Sequence, residues 1–336
     1  MREDFILLTG ITGFIAKRIA LDLVSAGYRV RGTLRSDKGM AEVRDALRPH
    51  LSDAALLDRL TFAKTDLTFD TGWPTAMEGV SAVIHSASPF PIAQPRDPKT
   101  VIRPAVDGTL RVLRAAQAAG VTRVVLTSSM EAVMHGGSGR TVSSADWTDL
   151  SAPTVSAYTQ SKTLAERAAW DFVAAHPEMR LTSINPGMVV GTPVDANTGS
   201  SVSVVQRFLN GRDPVVPDFM LPIVDISDVS AMHVGALDRP QTIGQRYVCA
   251  DRFMSIPEMA AALRAAYPGR RIPHRIAPKA LLRVLALFDR EIRLIVPWIG
   301  WTVALDNSAS RRDFGMDFVP AREAVLRTAA FLEARR

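Results

Sequence analysis

Cysteine is almost missing from this chain. Cys249 is the only one in 336 residues, so no intrachain disulfide and no cysteine-based zinc site can form. The histidines do not make up for it. Neither H-x-x-x-H nor C-x-x-C spacing occurs, and no metal is expected. A lone thiol suits a reducing compartment, so the expected location is cytoplasmic. Long apolar runs are lacking too. The chain enters "DFILLTG" at once, with no apolar signal region before a cleavage site. Its most membrane-like stretch, Leu281 to Trp301, is broken by Arg283, Asp289, Arg290, Glu291 and Arg293. That reads as an amphipathic helix and a packed connection, and no membrane partner is expected. Runs of like charge are also missing. The net charge of +6 comes from scattered basic residues, with arginine doublets only at Arg270-Arg271, Arg311-Arg312 and the C-terminus. A nucleic-acid partner is therefore not expected.

What is present is ordinary globular material, 47% hydrophobic and 22% charged, arranged in a regular alternation. "FILLTG", "YRVRGTLR", "LTFAKTD", "VSAVIHSAS", "VTRVVLTSS" and "RLTSINPG" read as buried strands. Between them lie amphipathic stretches, notably "FIAKRIALDLVSAG", Val101 to Ala119, and "YTQSKTLAERAAWDFVAAH". Near-continuous apolar strands alternating with helices imply a parallel sheet covered on both faces. The expected fold is α/β: a doubly wound parallel sheet of Rossmann type, with a smaller C-terminal substrate lobe. Residues 1–186 would form the dinucleotide-binding part and 187–336 mainly the lobe, with the chain returning to the sheet near 222–250. Helices are expected at Ile256–Tyr267 and Ala321–Ala334.

The first strand runs into "TGITGFIA", which sets Gly10, Gly13 and Ala16 at G-x-x-G-x-x-A spacing before the first helix. Gly10 can make the tight turn, Gly13 can let backbone N–H groups approach a pyrophosphate, and Ala16 can keep helix and strand close. The helix N-terminus adds unpaired donors and partial positive charge. At the end of the second strand an acidic residue would suit NAD, and an arginine the 2′-phosphate of NADP. The chain reads "GTLRSDKGM" there. Arg35, Ser36 and Lys38 favour NADP(H), while Asp37 keeps NAD(H) possible.

"SAYTQSK" places Tyr158 and Lys162 four residues apart, on one face of a helix. A free phenol, with a pKa near roughly 10, is a poor proton shuttle at neutral pH. A nearby ammonium favours phenolate, which suits acid/base work on an alcohol–carbonyl couple. Upstream, Ser128 and Ser129 close a buried strand, at the end where open α/β sheets bind ligands. A serine there can donate to a substrate oxygen held beside Tyr158.

Taken together, TGxxGxxA, Asp66-Leu67, "HSAS", the serine pair, YxxxK and "NPG" resemble the extended short-chain dehydrogenase/reductase superfamily. "VRGTLRS", "DLTFDTGW", "NPGMVVG", "VDISDV" and "NSASRRDFG" narrow the likeness to the dihydroflavonol reductase and cinnamoyl-CoA reductase branch, with its microbial ketone and aldehyde reductases. The likeness runs over nearly the whole chain. It implies Ser129 as the catalytic serine, with Ser128 as the neighbouring alternative, Tyr158 as the acid/base and Lys162 as its partner. It implies Gly10, Gly13, Phe14 and Ile15 at the pyrophosphate, and Arg35 at the 2′-phosphate. Asp66 and Leu67 would meet the adenine, Ser86, Ala87 and Ser88 would line the cofactor, and Pro186, Gly187, Met188 and Val189 would lie beside the nicotinamide.

Met134 stands where flavonoid reductases usually carry a polar residue, and the glycine-rich loop after it has its own character. A flavonoid substrate is therefore not the expectation. Phe90, Pro91, Met134, Met188, Phe208, Phe219 and Met220 suggest an apolar pocket. His135 is a candidate substrate contact, while His85 and His233, in apolar contexts, are expected to pack or hydrogen-bond. The expected activity is NADPH-dependent reduction of bulky apolar or aromatic ketones and aldehydes, reversible as alcohol oxidation. The alternatives on the same framework are a hydroxysteroid-type dehydrogenase and a nucleotide-sugar epimerase. A non-catalytic dinucleotide sensor would not need Ser129, Tyr158 and Lys162 together. The expected partner is a small molecule, with monomer and homodimer both open.

Overall fold

The computed structural model describes residues 3–88, 97–288 and 290–336. Seven parallel strands make the main sheet. Five of them are β1 (Phe5–Thr9), β2 (Arg29–Leu34), β3 (Leu60–Lys64), β4 (Ala82–His85) and β5 (Arg123–Thr127). After a short β6 (Arg140–Val142) comes β7 (Arg180–Pro186), and β8 (Met188–Val190) and β9 (Met220–Asp225) precede β10 (Gln245–Cys249). The sheet order is β10-β7-β5-β4-β1-β2-β3. Chain direction across the sheet reverses between β1 and β4, which opens a crevice at the carboxyl ends of those strands.

Every residue of β1 is buried, as a strand covered on both faces requires. Side chains alternate between two cores. Ile6 and Leu8 join the core under α1 (Phe14–Ser25) and α2 (Lys38–Leu47). Leu7 joins Val83, Val124 and Leu181 on the other face. That face is covered by α3 (Trp73–Met77), α4 (Lys99–Ala118) and α5 (Ala157–Ala175), and α4 lies along α5. Gly27 and Gly120, at φ 83° and 72°, stop the chain just beyond α1 and α4.

The rest of the chain builds a second layer and also returns to the first. Strand β11 (Arg252–Ser255) pairs antiparallel with β9, which runs parallel to β8. Helices α6 (Ser200–Asn210), α8 (Ile256–Ala266) and α12 (Ala321–Glu333) close a separate core on this sheet. Of the segments expected to return, Met220–Asp225 lies in the small sheet. The helix after it, α7 (Ile226–Leu237), packs on α1, and β10 completes the edge of the main sheet beside β7. Strand β12 (Val303–Leu305) pairs with β6. The segment from Leu281 folds into two short helices, α9 (Lys279–Leu285) and α10 (Arg290–Ile295). No helix among the described residues is long and apolar enough to cross a membrane.

Two histidines are fixed inside the main sheet. His85 Nδ1 meets Thr9 Oγ1 at 2.8 Å, and His233 Nε2 meets Thr127 Oγ1 at 2.7 Å. Burial lowers His85 to about 3, with Lys162 adding to the effect, and burial lowers His233 to about 4. Both are neutral in the folded chain, whereas the unfolded chain protonates them near roughly 6.5. The unfolded state therefore binds more protons below that pH, and stability falls as pH drops from about 6.5 toward about 4. The expected loss is about 1.4 kcal/mol per pH unit for each histidine. Asp228, raised to about 6 first by burial, opposes part of this. Urea midpoints taken at neutral pH and near pH 5 should show a clear loss at the lower value. An unchanged midpoint would contradict neutral, buried imidazoles.

Candidate active site

The glycine turn is shaped for close approach. Gly10 sits at φ 67°, and a Cβ there would stand 2.9 Å from the Ala87 Cβ. Its N–H donates to Thr33 Oγ1, and its carbonyl accepts from the Gly13 N–H at 2.9 Å. Gly13 is exposed and caps α1 in extended conformation. Phe14 and Ile15 follow it, half-buried, and Ala16 is buried. No side chain caps this helix and no acidic residue stands in its first turn, so its leading N–H groups face outward without a resident anion. On the other side of the crevice Ser86, Ala87 and Ser88 follow β4 half-buried, and the Ala87 N–H donates to Thr9 Oγ1.

Arg35 is exposed one residue past β2, with Ser36 and Lys38 exposed beside it. Asp37 is occupied, because Lys64 Nζ meets its carboxylate at 2.5 Å. Asp66 accepts from the Thr68 hydroxyl and N–H, and these bonds hold its carboxyl below the usual range. Leu67 packs against Gly108, where a Cβ would come within 3.0 Å of it. The turn geometry, the open helix terminus and the free basic side chains fit a dinucleotide with an added phosphate.

Ser129 and Tyr158, 29 positions apart in the sequence, are brought together so that the serine hydroxyl favours the ionised form of the phenol. Ser129 caps a short turn after β5, and its Oγ accepts from the Glu131 N–H at 3.2 Å. Tyr158 lies in the first turn of α5, which Ser156 caps by accepting from the Thr159 N–H. Ser128 points elsewhere and donates to Glu166 Oε2 at 2.6 Å. Of the two serines, only Ser129 has its hydroxyl at the phenol. Burial pushes Tyr158 up, Glu131 adds to the rise, and the Ser129 hydrogen bond opposes it. The phenol is thus held as a proton donor, where the sequence spacing alone led one to expect the lysine to dominate. Lys162 is buried one turn on and is lowered to about 8 by burial, with Glu166 pulling it back up.

Two carboxylates organise this region, and neither is obvious from sequence motifs. Glu166 is buried and takes hydrogen bonds from Ser128, from Asn185 Nδ2 at 2.7 Å and from Arg246 Nε at 2.6 Å. It thereby ties α5 to β5, β7 and the edge strand β10. Glu131 accepts at Oε2 from Thr159 Oγ1 and, at 3.0 Å, from His135 Nε2. Because a carboxylate only accepts, His135 Nε2 donates, and Nδ1 shares a hydrogen bond with Thr154 Oγ1 at 2.8 Å. The available sequence signal was i, i+4 spacing: Lys162 to Glu166, and Glu131 to His135.

The apolar residues named from the sequence separate into groups. Met134 is buried with Val142, Val248 and Phe253, and Met220, Trp298 and Trp301 pack on that cluster. Phe208 is buried in the core beneath α6 and α12, and Met188 and Phe219 rest against it. Pro186 ends β7, and Gly187 passes so close to β9 that a Cβ would meet the Pro222 carbonyl at 2.3 Å. Val189 is buried in β8. His135 departs from expectation. It has no exposed surface and sits edge-on to Trp298 at 4.8 Å, so it reaches the site only through Glu131. Phe90 and Pro91 lie outside the described residues. A cavity of about 290 Å³ lined by Tyr28, Ser81, Arg123 and Arg180 opens at the opposite, amino ends of the strands and shares none of these side chains.

The NAD dependent epimerase/dehydratase family matches residues 6–250, most of the chain. The chain belongs to this family. Among its relatives in this family is a cinnamoyl-CoA reductase of Medicago truncatula, 32% identical over 282 residues that cover 82% of this chain and 84% of that one. A dihydroflavonol 4-reductase of Zea mays is 30% identical over 278 residues, covering 80% and 76%. Among solved structures, yeast methylglyoxal/isovaleraldehyde reductase Gre2 complexed with NADPH aligns at a TM-score of 0.81, with 24% identity over 98% of this chain and 99% of that one. At that identity the likeness concerns the fold. The epimerase/dehydratase family includes both reductive and epimerising members, and the site chemistry has to separate them.

Proposed function

We propose that this chain is an NADPH-dependent carbonyl reductase, reversible as an alcohol dehydrogenase, acting on bulky apolar or aromatic ketones and aldehydes. The observation that carries the reading is the Ser129 hydroxyl brought to the Tyr158 phenol at the carboxyl end of β5, with Lys162 buried one helical turn away. Gly10, Gly13, Phe14 and Ile15 would hold the pyrophosphate, with Arg35 and Lys38 on the 2′-phosphate. Asp66 and Leu67 would face the adenine. Ser86, Ala87 and Ser88 would line one side of the crevice and Pro186 to Val189 the other. When bound, NADPH supplies the hydride. Ser129 orients the carbonyl oxygen, and Tyr158 gives its phenolic proton to that oxygen as negative charge develops. Lys162 holds the ribose, and its ammonium offsets charge left on the phenolate. Residues 1–186, with α7 and β10, would then be the dinucleotide-binding part, and most of 187–336 the substrate side.

The relatives are named as reductases, which supports this reading over epimerisation. The test is oxidation of NADPH, followed by absorbance, with a panel of aryl ketones, aldehydes and flavonoids. Turnover is expected with aryl ketones and aldehydes, and slower or none with flavonoids. If no carbonyl compound consumes NADPH while a nucleotide-sugar is epimerised without net cofactor change, the epimerase reading replaces this one.

A further inference from the structure

Glu131 is an unusual side chain to find beside an apolar site. It is half-buried, and its carboxylate lies close enough to Tyr158 to act on the phenol electrostatically. One oxygen, Oε2, is pinned by Thr159 and His135. The other, Oε1, takes no hydrogen bond among the described residues, and the side chain keeps 24% of its surface exposed. Burial would raise this carboxyl, but the hydrogen bonds from His135 and Thr159 bring it below the ordinary range, so it is ionised at neutral pH. Among the described residues no lysine or arginine pairs with it, and His135 is its only basic partner. A half-buried charge without a cation is costly, and a rigidly held one is rarely left so without use. His135 in turn carries the Trp298 indole on its edge, and Trp301 stands 4.7 Å from Trp298. Both indoles are only half-buried. A fixed carboxylate with one oxygen unbonded is the chemistry that recognises an ammonium, and the indoles behind His135 add aromatic surface to the same region.

We propose that Glu131, backed by His135 with Trp298 and Trp301 packed behind it, reads a protonated amine on the substrate, so that the preferred substrates are amino ketones with the ammonium close to the carbonyl. This rests on the reductase reading for the carbonyl end and goes beyond it in naming the substrate class. Ser129 and Tyr158 hold the carbonyl oxygen, and Glu131 Oε1 accepts from the ammonium. The apolar remainder of the substrate faces the partly buried Met220 side. The proton that completes reduction still comes from Tyr158, so the ammonium contributes orientation and affinity only.

The test uses two aryl ketones of equal size, one with a primary ammonium on the carbon beside the carbonyl and one with a methyl in its place. Turnover with NADPH is measured for wild type, Glu131→Gln and Trp298→Leu. Binding of the two ketones without turnover is measured in parallel, by quenching of tryptophan fluorescence in wild type and Glu131→Gln and by calorimetry in Trp298→Leu. Wild type is expected to favour the ammonium compound by about tenfold or more in KM and in binding. Glu131→Gln keeps the shape and the hydrogen-bonding ability but removes the charge, and should bring the ratio close to one. Trp298→Leu should lower it by a smaller factor. Equal binding of the two ketones by wild type, or a preference that survives in Glu131→Gln, overturns the inference. Ammonium-selective binding without any turnover would sustain it and overturn the reductase reading instead.

Discussion

Tyr158→Phe is expected to lower kcat about thousandfold while leaving NADPH binding nearly intact. Phenylalanine keeps the ring and its packing in the first turn of α5, and it removes one oxygen. That oxygen is the one on which the Ser129 hydroxyl acts. Among the described residues no acidic side chain is bonded to Ser129: its Oγ accepts from the Glu131 N–H, and its carbonyl accepts from the Ala132 N–H and Asn185 Nδ2. Lys162 cannot take over without moving, because it is buried in place and draws on Glu166. Water could supply a proton, but not an oriented one, and loss of a positioned general acid costs roughly two to four orders of magnitude. Stopped-flow measurement of NADPH oxidation, with cofactor binding followed by fluorescence, separates the two effects. A variant retaining more than about a tenth of wild-type kcat would remove Tyr158 from the mechanism. Burial and Glu131 hold the phenol protonated through the neutral range, so the wild-type reductive rate should stay level with pH there.

Arg35→Ala should raise KM for NADPH by roughly tenfold to a hundredfold and leave KM for NADH almost unchanged. The guanidinium stands exposed just past β2. A charge-assisted bond from guanidinium to phosphate is worth about 1.5–3 kcal/mol, less where solvent screens it. Only NADPH carries that phosphate, so the effect belongs to one cofactor. Asp37 would ordinarily weaken such a site, and Lys64 answers it with an ion pair. Both partners are exposed, so that pair adjusts the local charge more than it stabilises the fold. Steady-state kinetics with each cofactor decide the matter. Equal losses for NADPH and NADH would mean that Arg35 supports the fold or the adenosine, and not the 2′-phosphate.

The parallel sheet was legible because its strands are short apolar runs broken by helices whose ends are marked by Gly27 and Gly120. The turn at Gly10 was legible for the same kind of reason. Spacing along one strand–turn–helix is set by local backbone geometry. Tyr158 and Lys162 fall on one helix face by the same local rule. What could not be read was the choice between Ser128 and Ser129. The strand ends in both, and Glu166, 38 positions away, takes the first and leaves the second to the phenol. His135 was misjudged because its surroundings come from Trp298, which is distant in sequence and adjacent in space.

The amino-acid order by itself determined the element sequence, the glycine turn, the helix-face pairing of Tyr158 with Lys162 and the family. Each depends on residues within a few turns or on patterns along the whole chain. Tertiary structure alone decided which hydroxyl faces the phenol. It also turned Lys64 onto Asp37, and left Glu131 without a lysine or arginine partner among the described residues. Those outcomes are electrostatic. A charge or hydrogen bond acts over a few ångströms, and which groups come that close is fixed only when distant segments such as β10 and the Trp298 turn close against the sheet.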